Sequence, residues 1–200
     1  RGLNPYPYGY DKDIMAADLQ DKYKDLPAGE ETEDCYHVAG RVMANRNTGM
    51  FIDLVDASGK IQIFSHKENL SPEDLKTLKT VDIGDIVGFY GSVRRTPRGE
   101  LTIKAQSLKI LSKSLLPLPE KFHGLTDVET KYRQRYVDMI VNDDVKKTFQ
   151  QRSLIIQKVR EYLINKGFME VETPMLHPQA GGANARPFIT HHNTLDMDMY

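Results

Sequence analysis

The chain has 200 residues, 40% of them hydrophobic and 28% charged, with a formal net charge of −1. That is a globular composition; it excludes disordered and collagen-like classes, and no apolar run approaches the ~18 residues of a membrane span. A single cysteine, Cys35, excludes an internal disulfide framework and a Cys-rich zinc site, and the start Arg1-Gly2-Leu3-Asn4-Pro5 lacks the apolar core of a secretory signal. A reducing cytoplasmic location is the expectation. The charge is graded along the chain. Residues 1–36 carry 4 Lys/Arg against 9 Asp/Glu, residues 37–113 carry 12 against 8, and residues 114–200 carry 11 against 11. The basic middle permits nucleic-acid binding without establishing it.

Residues 1–34 read as an arm. Asn4-Pro5-Tyr6-Pro7-Tyr8-Gly9 suits neither helix nor central strand. Met15, Leu19, Tyr23 and Leu26 then fall on one helical face that Pro27 stops. From Tyr36 the period becomes two: Val38, Gly40 and Val42 alternate with Ala39, Arg41 and Met43. A hairpin follows, Phe51–Val55 and Ile61–Phe64 around the turn Asp56-Ala57-Ser58-Gly59. Ser71-Pro72-Glu73-Asp74 opens a short helix that reaches about Lys79. Ile86–Val93 and Leu101–Ala105 are strands joined by the turn Thr96-Pro97-Arg98-Gly99. Three strands, a helix and two strands over 35–113 predict an all-β OB-fold barrel.

Residues 114–125 read as a linker broken by Pro117, Pro119 and Gly124. Beyond it, 126–200 reads as the start of a further α+β domain. Thr126 and Glu129 have capping-box spacing for a helix with Tyr132, Tyr136, Met139 and Ile140 on one face. Asn142-Asp143-Asp144 caps a second helix carrying Val145, Phe149, Ile156, Val159 and Leu163, with Gly167 at its C-terminal end. Phe168–Val171 reads as a strand stopped by Pro174, 177–187 as a loop of small residues, and Phe188–Tyr200 as one strand.

One choice of core face partitions the barrel. With Val38, Val42, Ile52, Leu54, Ile61, Ile63, Leu101 and Ile103 inward, the residues Arg41, Phe51, Gln62, Glu100 and Lys104 point outward. Arg holds phosphate, Phe stacks a base, and Gln reads a base edge; OB-folds bind oligonucleotides on this strand face. The residues alone equally allow Phe51 packed under the N-terminal helix and Arg41 and Gln62 as plain surface. Elsewhere the chemistry is bland. Gly181–Arg186 lacks the Gly-Lys-Ser/Thr ending of a phosphate loop, and His191-His192 would point to opposite faces of a strand with no third ligand in reach. No metal site and no nucleophilic triad is expected.

Several longer strings resemble the class II lysyl-tRNA synthetase family. Gly167-Phe168-Met169-Glu170-Val171-Glu172-Thr173-Pro174-Met175 resembles motif 1 of that class. Lys121-Phe122-His123-Gly124-Leu125 and Lys131-Tyr132-Arg133-Gln134-Arg135-Tyr136 resemble its inter-domain link, and Ala185-Arg186-Pro187-Phe188-Ile189-Thr190-His191-His192-Asn193 is the most specific stretch. The resemblance implies an anticodon-binding barrel in which the middle uridine stacks on Phe51 and is read by Gln62, with Arg41 and Glu100 as neighbouring contacts. It implies a homodimer through motif 1, with Gly167 and Pro174 at the interface, and a lysine-binding Gly182; the family pattern has Ala where this chain has Asn184. It further implies that motifs 2 and 3, which carry the ATP-binding arginine and the Mg2+ carboxylates, lie beyond Tyr200. On that reading the chain is an N-terminal fragment without a catalytic residue and without bound ATP or Mg2+. The intact enzyme would activate lysine with ATP and load tRNA-Lys. The alternative is a free-standing OB-fold that binds single-stranded nucleic acid, with 114–200 as a dimerisation tail.

Overall fold

The computed structural model describes residue 4 and residues 6–119, 125–182 and 184–200. The Lys121–Gly124 part of the link lies outside them, as does Ala183. The chain divides into two compact units, 1–137 and 138–200.

The first unit is a closed five-stranded barrel with strand order β1-β2-β3-β5-β4. Its strands are β1 (Glu31–Arg46), β2 (Phe51–Val55), β3 (Lys60–Phe64), β4 (Ile86–Arg95) and β5 (Leu101–Ser112). All neighbours are antiparallel except β3 and β5, which run parallel. The first helix, α1 (Ala16–Lys22), precedes β1, and α2 (Pro72–Leu78) joins β3 to β4. This is the OB-fold order predicted from the strand and helix pattern.

Alternation fills the barrel. Val38, Val42, Ile52, Leu54, Ile61, Ile63, Val87, Phe89, Val93, Leu101 and Ile103 are all at most 2% exposed. Burying one such side chain contributes about 1.5–3 kcal/mol. Leu19 of α1 is fully buried with them. Two turn features follow the sequence closely. Asp56 Oδ1 accepts from the amides of Ser58 and Gly59, which closes the β2–β3 hairpin. Ser71 Oγ accepts from the Asp74 amide at 3.0 Å and starts α2 with Pro72 at its first position.

Several boundaries differ from the sequence reading. The first helix ends at Lys22, short of Pro27, where the chain leaves the helix in turns closed by Lys24 donating to the Asp21 carbonyl and Leu26 to the Tyr23 carbonyl. Strand β1 starts five residues before Tyr36, since acidic Glu31 pairs with Arg94 on β4. Likewise β5 extends past Ala105 to Ser112, which pairs with Ile86.

The arm is tied to the barrel by specific bonds. The Asp56 carboxylate takes Lys12 Nζ at 2.6 Å and the Ala16 amide at 2.8 Å. Burial alone would raise its pKa, but the hydrogen bonds from Lys12, Ser58 and Ala16 outweigh it and hold the carboxyl well below the usual range. The Tyr10 ring lies against Gly88, where an added Cβ would come within 2.4 Å of it. Burial, with a smaller contribution from Asp13, pushes the Tyr10 hydroxyl up to about 12.

Between barrel and second unit, the predicted single helix over 126–141 is two, α3 (Val128–Arg133) and α4 (Arg135–Val141), broken at Gln134. Its cap is Asp127, whose carboxylate accepts from the Thr130 amide at 2.7 Å, and not Thr126. The long helix α5 (Asp143–Asn165) follows from Asn142. Its end is a Schellman motif: Gly167, at φ +86°, donates to the Ile164 carbonyl and Phe168 to the Leu163 carbonyl. Phe168–Val171 forms no strand, because none of the described strands pairs with it. Phe188–Tyr200 is a hairpin instead of one strand, β6 (Thr190–His192) against β7 (Met197–Met199), turned at Asp196 with φ +49°. His191 Nδ1 lies 3.0 Å from Asp198 Oδ1 across that hairpin.

Candidate nucleic-acid interface

A bulge in β1 decides which residues reach the outer face of the barrel. Val42 pairs with Leu54, but Ala44, two residues on, pairs with Asp53, only one residue away. One extra residue on a strand shifts its side-chain parity. After the bulge Asn45 takes the inward register opposite Ile52, and Arg46 comes outward opposite Phe51. Strict alternation from Val38 would have turned Arg46 into the core.

Two rows of side chains then cross the outer face. Cross-strand registers join Arg46, Phe51, Phe64 and Lys104 in one, and Asp53, Gln62, Thr102 and Arg94 in the other. The Phe51 and Phe64 rings are 5.2 Å apart at 42°, and His66 continues the platform, 5.8 Å from Phe64 at 11°. The Arg94 guanidinium sits 5.2 Å over the Phe64 ring. Arg46, Phe51, Gln62, Phe64 and Arg94 line a cleft with Asn47, Glu100 and the β4–β5 turn Thr96-Pro97-Arg98.

The polar floor is held by a chain of charges. Arg46 makes a two-pronged contact with Asp53, at 2.6 and 3.2 Å, and Lys60 lies 3.9 Å from Asp53 and 3.4 Å from Glu100. Asp53 is 6% exposed, so the Arg46 fork satisfies a carboxylate that burial would otherwise penalise. At the far edge Lys104 donates to Glu31 at 2.8 Å; this bond, ahead of Ser92 and Arg94, keeps the Glu31 carboxyl below its ordinary range. Gln62 Oε1 accepts from the Thr102 hydroxyl at 3.0 Å. The cleft offers two aromatic faces, one amide and the arginines Arg46, Arg94 and Arg98 around Glu100. That set can stack a base, read an edge and hold phosphate.

Of the residues picked from the sequence, Phe51, Gln62 and Glu100 come together here. Arg41 does not: its guanidinium donates to the Gly84 carbonyl at 2.7 Å, five residues along β1 from Arg46. Gly182, with φ +102°, lies exposed in a loop of the second unit, Gly167 closes α5, and Pro174 is exposed in an irregular segment. Sequence reasoning missed Arg46, Phe64, Arg94 and Arg98. Phe64 shares the parity of Gln62 on β3 and was legible; Arg46 needed the bulge.

Comparisons with known proteins bear on this cleft. An OB-fold nucleic acid binding domain model matches residues 36–111, and the model of class II tRNA synthetases (D, K and N) matches residues 127–200. Lysine–tRNA ligases from Sinorhizobium medicae and Rhizobium meliloti are 56% and 55% identical over 195 residues, and one from Gloeobacter violaceus is 50% identical over 204. In sequence the chain is similar to part of the class II lysine–tRNA ligases. Each alignment covers 98% of this chain, which spans 39% of the length of the two rhizobial relatives and 41% of the third. The two model matches together reach both units: one falls on the barrel and the other takes in α3 to β7.

Proposed function

We propose that the barrel is the anticodon-reading domain of a lysine–tRNA ligase and that residues 126–200 open its catalytic domain. The observation that carries this is the cleft itself: an aromatic pair, a glutamine and two arginines share the strand face on which OB-folds bind oligonucleotides, and Arg98 lines the same cleft from the β4–β5 turn. The middle anticodon base stacks on Phe51 and Phe64, Gln62 meets its edge, and Arg94 and Arg98 take the flanking phosphates. The partner is tRNA-Lys, in the cytoplasm.

The intact ligase would activate lysine with ATP and Mg2+ and pass it to the tRNA. Among the described residues no three metal-ligating side chains converge. Gly182 would border the lysine pocket. A second copy of the chain would cover α5 and the segment to Pro174, where Ile155, Val159, Phe168 and Val171 are 55–66% exposed. Among the described residues no helix is long and apolar enough to cross a membrane.

Two assays test this reading. Titration with a lysine anticodon stem-loop should show saturable binding that unlabelled stem-loop reverses; no binding at low salt would contradict it. Lysine-dependent ATP–pyrophosphate exchange by the 200-residue chain should stay at the no-protein level.

A further inference from the structure

Whether a glutamine reads uracil or cytosine depends on which end of its amide faces the base. The carbonyl and the amino group are nearly isosteric, so a freely rotating side chain shows either. In this cleft one end is held from below. Thr102 is fully buried under the outer face, beside Gln62 in the parallel β3–β5 register. Its single hydroxyl proton has two acceptors in reach, Gln62 Oε1 at 3.0 Å and the Glu100 carbonyl at 3.2 Å. The Glu100 carbonyl already accepts from the Thr96 amide at 2.9 Å, the bond that closes the β4–β5 turn. Gln62 Oε1 is the nearer of the two acceptors and takes the Thr102 proton. The amide's Nε2, which has no partner among the described residues, is left to face the cleft as a pure donor.

Building on the anticodon reading above, we infer that Thr102 is a positioning residue that fixes the Gln62 amide with its donors toward the base, and thereby selects uracil over cytosine. A donor-only edge matches uracil O4. It meets the cytosine amino group donor to donor, leaving two buried donors unpaired. Without the Thr102 hydroxyl the amide can turn over and offer Oε1 to that amino group. Discrimination then falls because cytosine binds better, while stacking on Phe51 is untouched.

The test uses the whole 200-residue chain and two anticodon stem-loops differing only by U or C at the middle base. The wild-type chain, Gln62→Ala, Thr102→Val and Thr102→Ser are titrated with each, and melting temperatures are recorded. The expected result is a U:C affinity ratio that drops roughly 5-fold or more in Thr102→Val, the lower end of a base-edge hydrogen bond, and returns in Thr102→Ser. Thr102→Ala, smaller and also without a hydroxyl, reads the same ratio if the valine variant does not fold. A ratio that Gln62→Ala loses but Thr102→Val keeps overturns the inference and leaves the anticodon reading standing. Equal weakening of both stem-loops by Thr102→Val, not restored by serine, also overturns it, since that is a structural role. A wild-type ratio that Gln62→Ala does not change overturns the anticodon reading and the inference with it.

Discussion

At the scale of single residues, the cleft separates stacking, charge and support. Base–aromatic stacking contributes about 1–3 kcal/mol per base. Phe51→Ala should weaken stem-loop binding roughly 5- to 150-fold whatever the middle base, because every base has a π-face. Arg98 sits on the exposed tip of the β4–β5 turn. Arg98→Ala should leave the melting temperature in place and lower the slope of log affinity against log salt by about 0.7, one single-strand phosphate contact. Arg41→Ala should leave that slope unchanged, since its guanidinium is spent on the Gly84 carbonyl. Away from the cleft, Asp56→Asn removes the ionised anchor of Lys12 and the α1 amide, at about 1–3 kcal/mol near neutral pH. The Asp56 carboxyl is depressed in the folded chain, so its contribution is present above the unfolded value near 4 and fades as pH falls below it. Thermal melts of wild type and Asp56→Asn should therefore converge on going from pH 7 towards pH 3.

At the scale of elements, the barrel was legible because alternation is a local signal. Ile52, Leu54, Ile61 and Ile63 announce their inward faces in the sequence, and the β2–β3 turn and the α2 cap are written in Asp56–Gly59 and Ser71–Pro72. What was not legible depends on a partner strand. Glu31, Thr32, Glu33 and Asp34 have no strand pattern of their own, and β1 reaches back through them because β4 pairs with Glu31 and Cys35 on either side. The β1 bulge leaves no mark in the alternation, yet it moves Arg46 into the cleft in place of Arg41. Close backbone packing between strands gives a further prediction. A Cβ on Gly91 would come within 2.0 Å of the Lys104 carbonyl oxygen, at a register shift in the β4–β5 ladder. Gly91→Ala should destabilise the barrel by about 1–3 kcal/mol or more, as overpacking does, seen as an earlier urea midpoint with the slope unchanged.

At the scale of the whole molecule, the two units differ in how they hold together. Among the described residues every buried apolar side chain lies between Ala16 and Ile110, whereas Leu154, Ile155, Val159 and Tyr162 of α5 are half or more exposed. A helix in water draws most of its stability from the packing of its apolar face. Limited proteolysis should therefore cut first within 138–200 and leave a resistant fragment containing 31–112. The same exposed surface predicts association through α5. Sedimentation should show a concentration-dependent shift to a dimer, and Ile155→Glu with Val159→Glu should abolish it; a monomer at all concentrations would remove the two-fold reading. The sequence pattern drew α5 and its glycine end correctly, since helix periodicity is local. It misread Phe168–Val171 as a strand because a strand exists only with a neighbour, and the described residues hold none for it.

The central claim is that the face bearing Phe51 and Gln62 is where RNA binds. Backbone amide shifts of the 15N-labelled chain, followed during titration with a lysine anticodon stem-loop, test it without any substitution. Binding in the cleft predicts the largest shifts at Arg46, Phe51, Gln62, Phe64, Arg94 and Arg98, with little change near Ile83 and Leu116 at the groove beside Asp82. Shifts centred on that groove, or on Arg41 and Gly84, with Phe51 and Gln62 unmoved, would contradict the account.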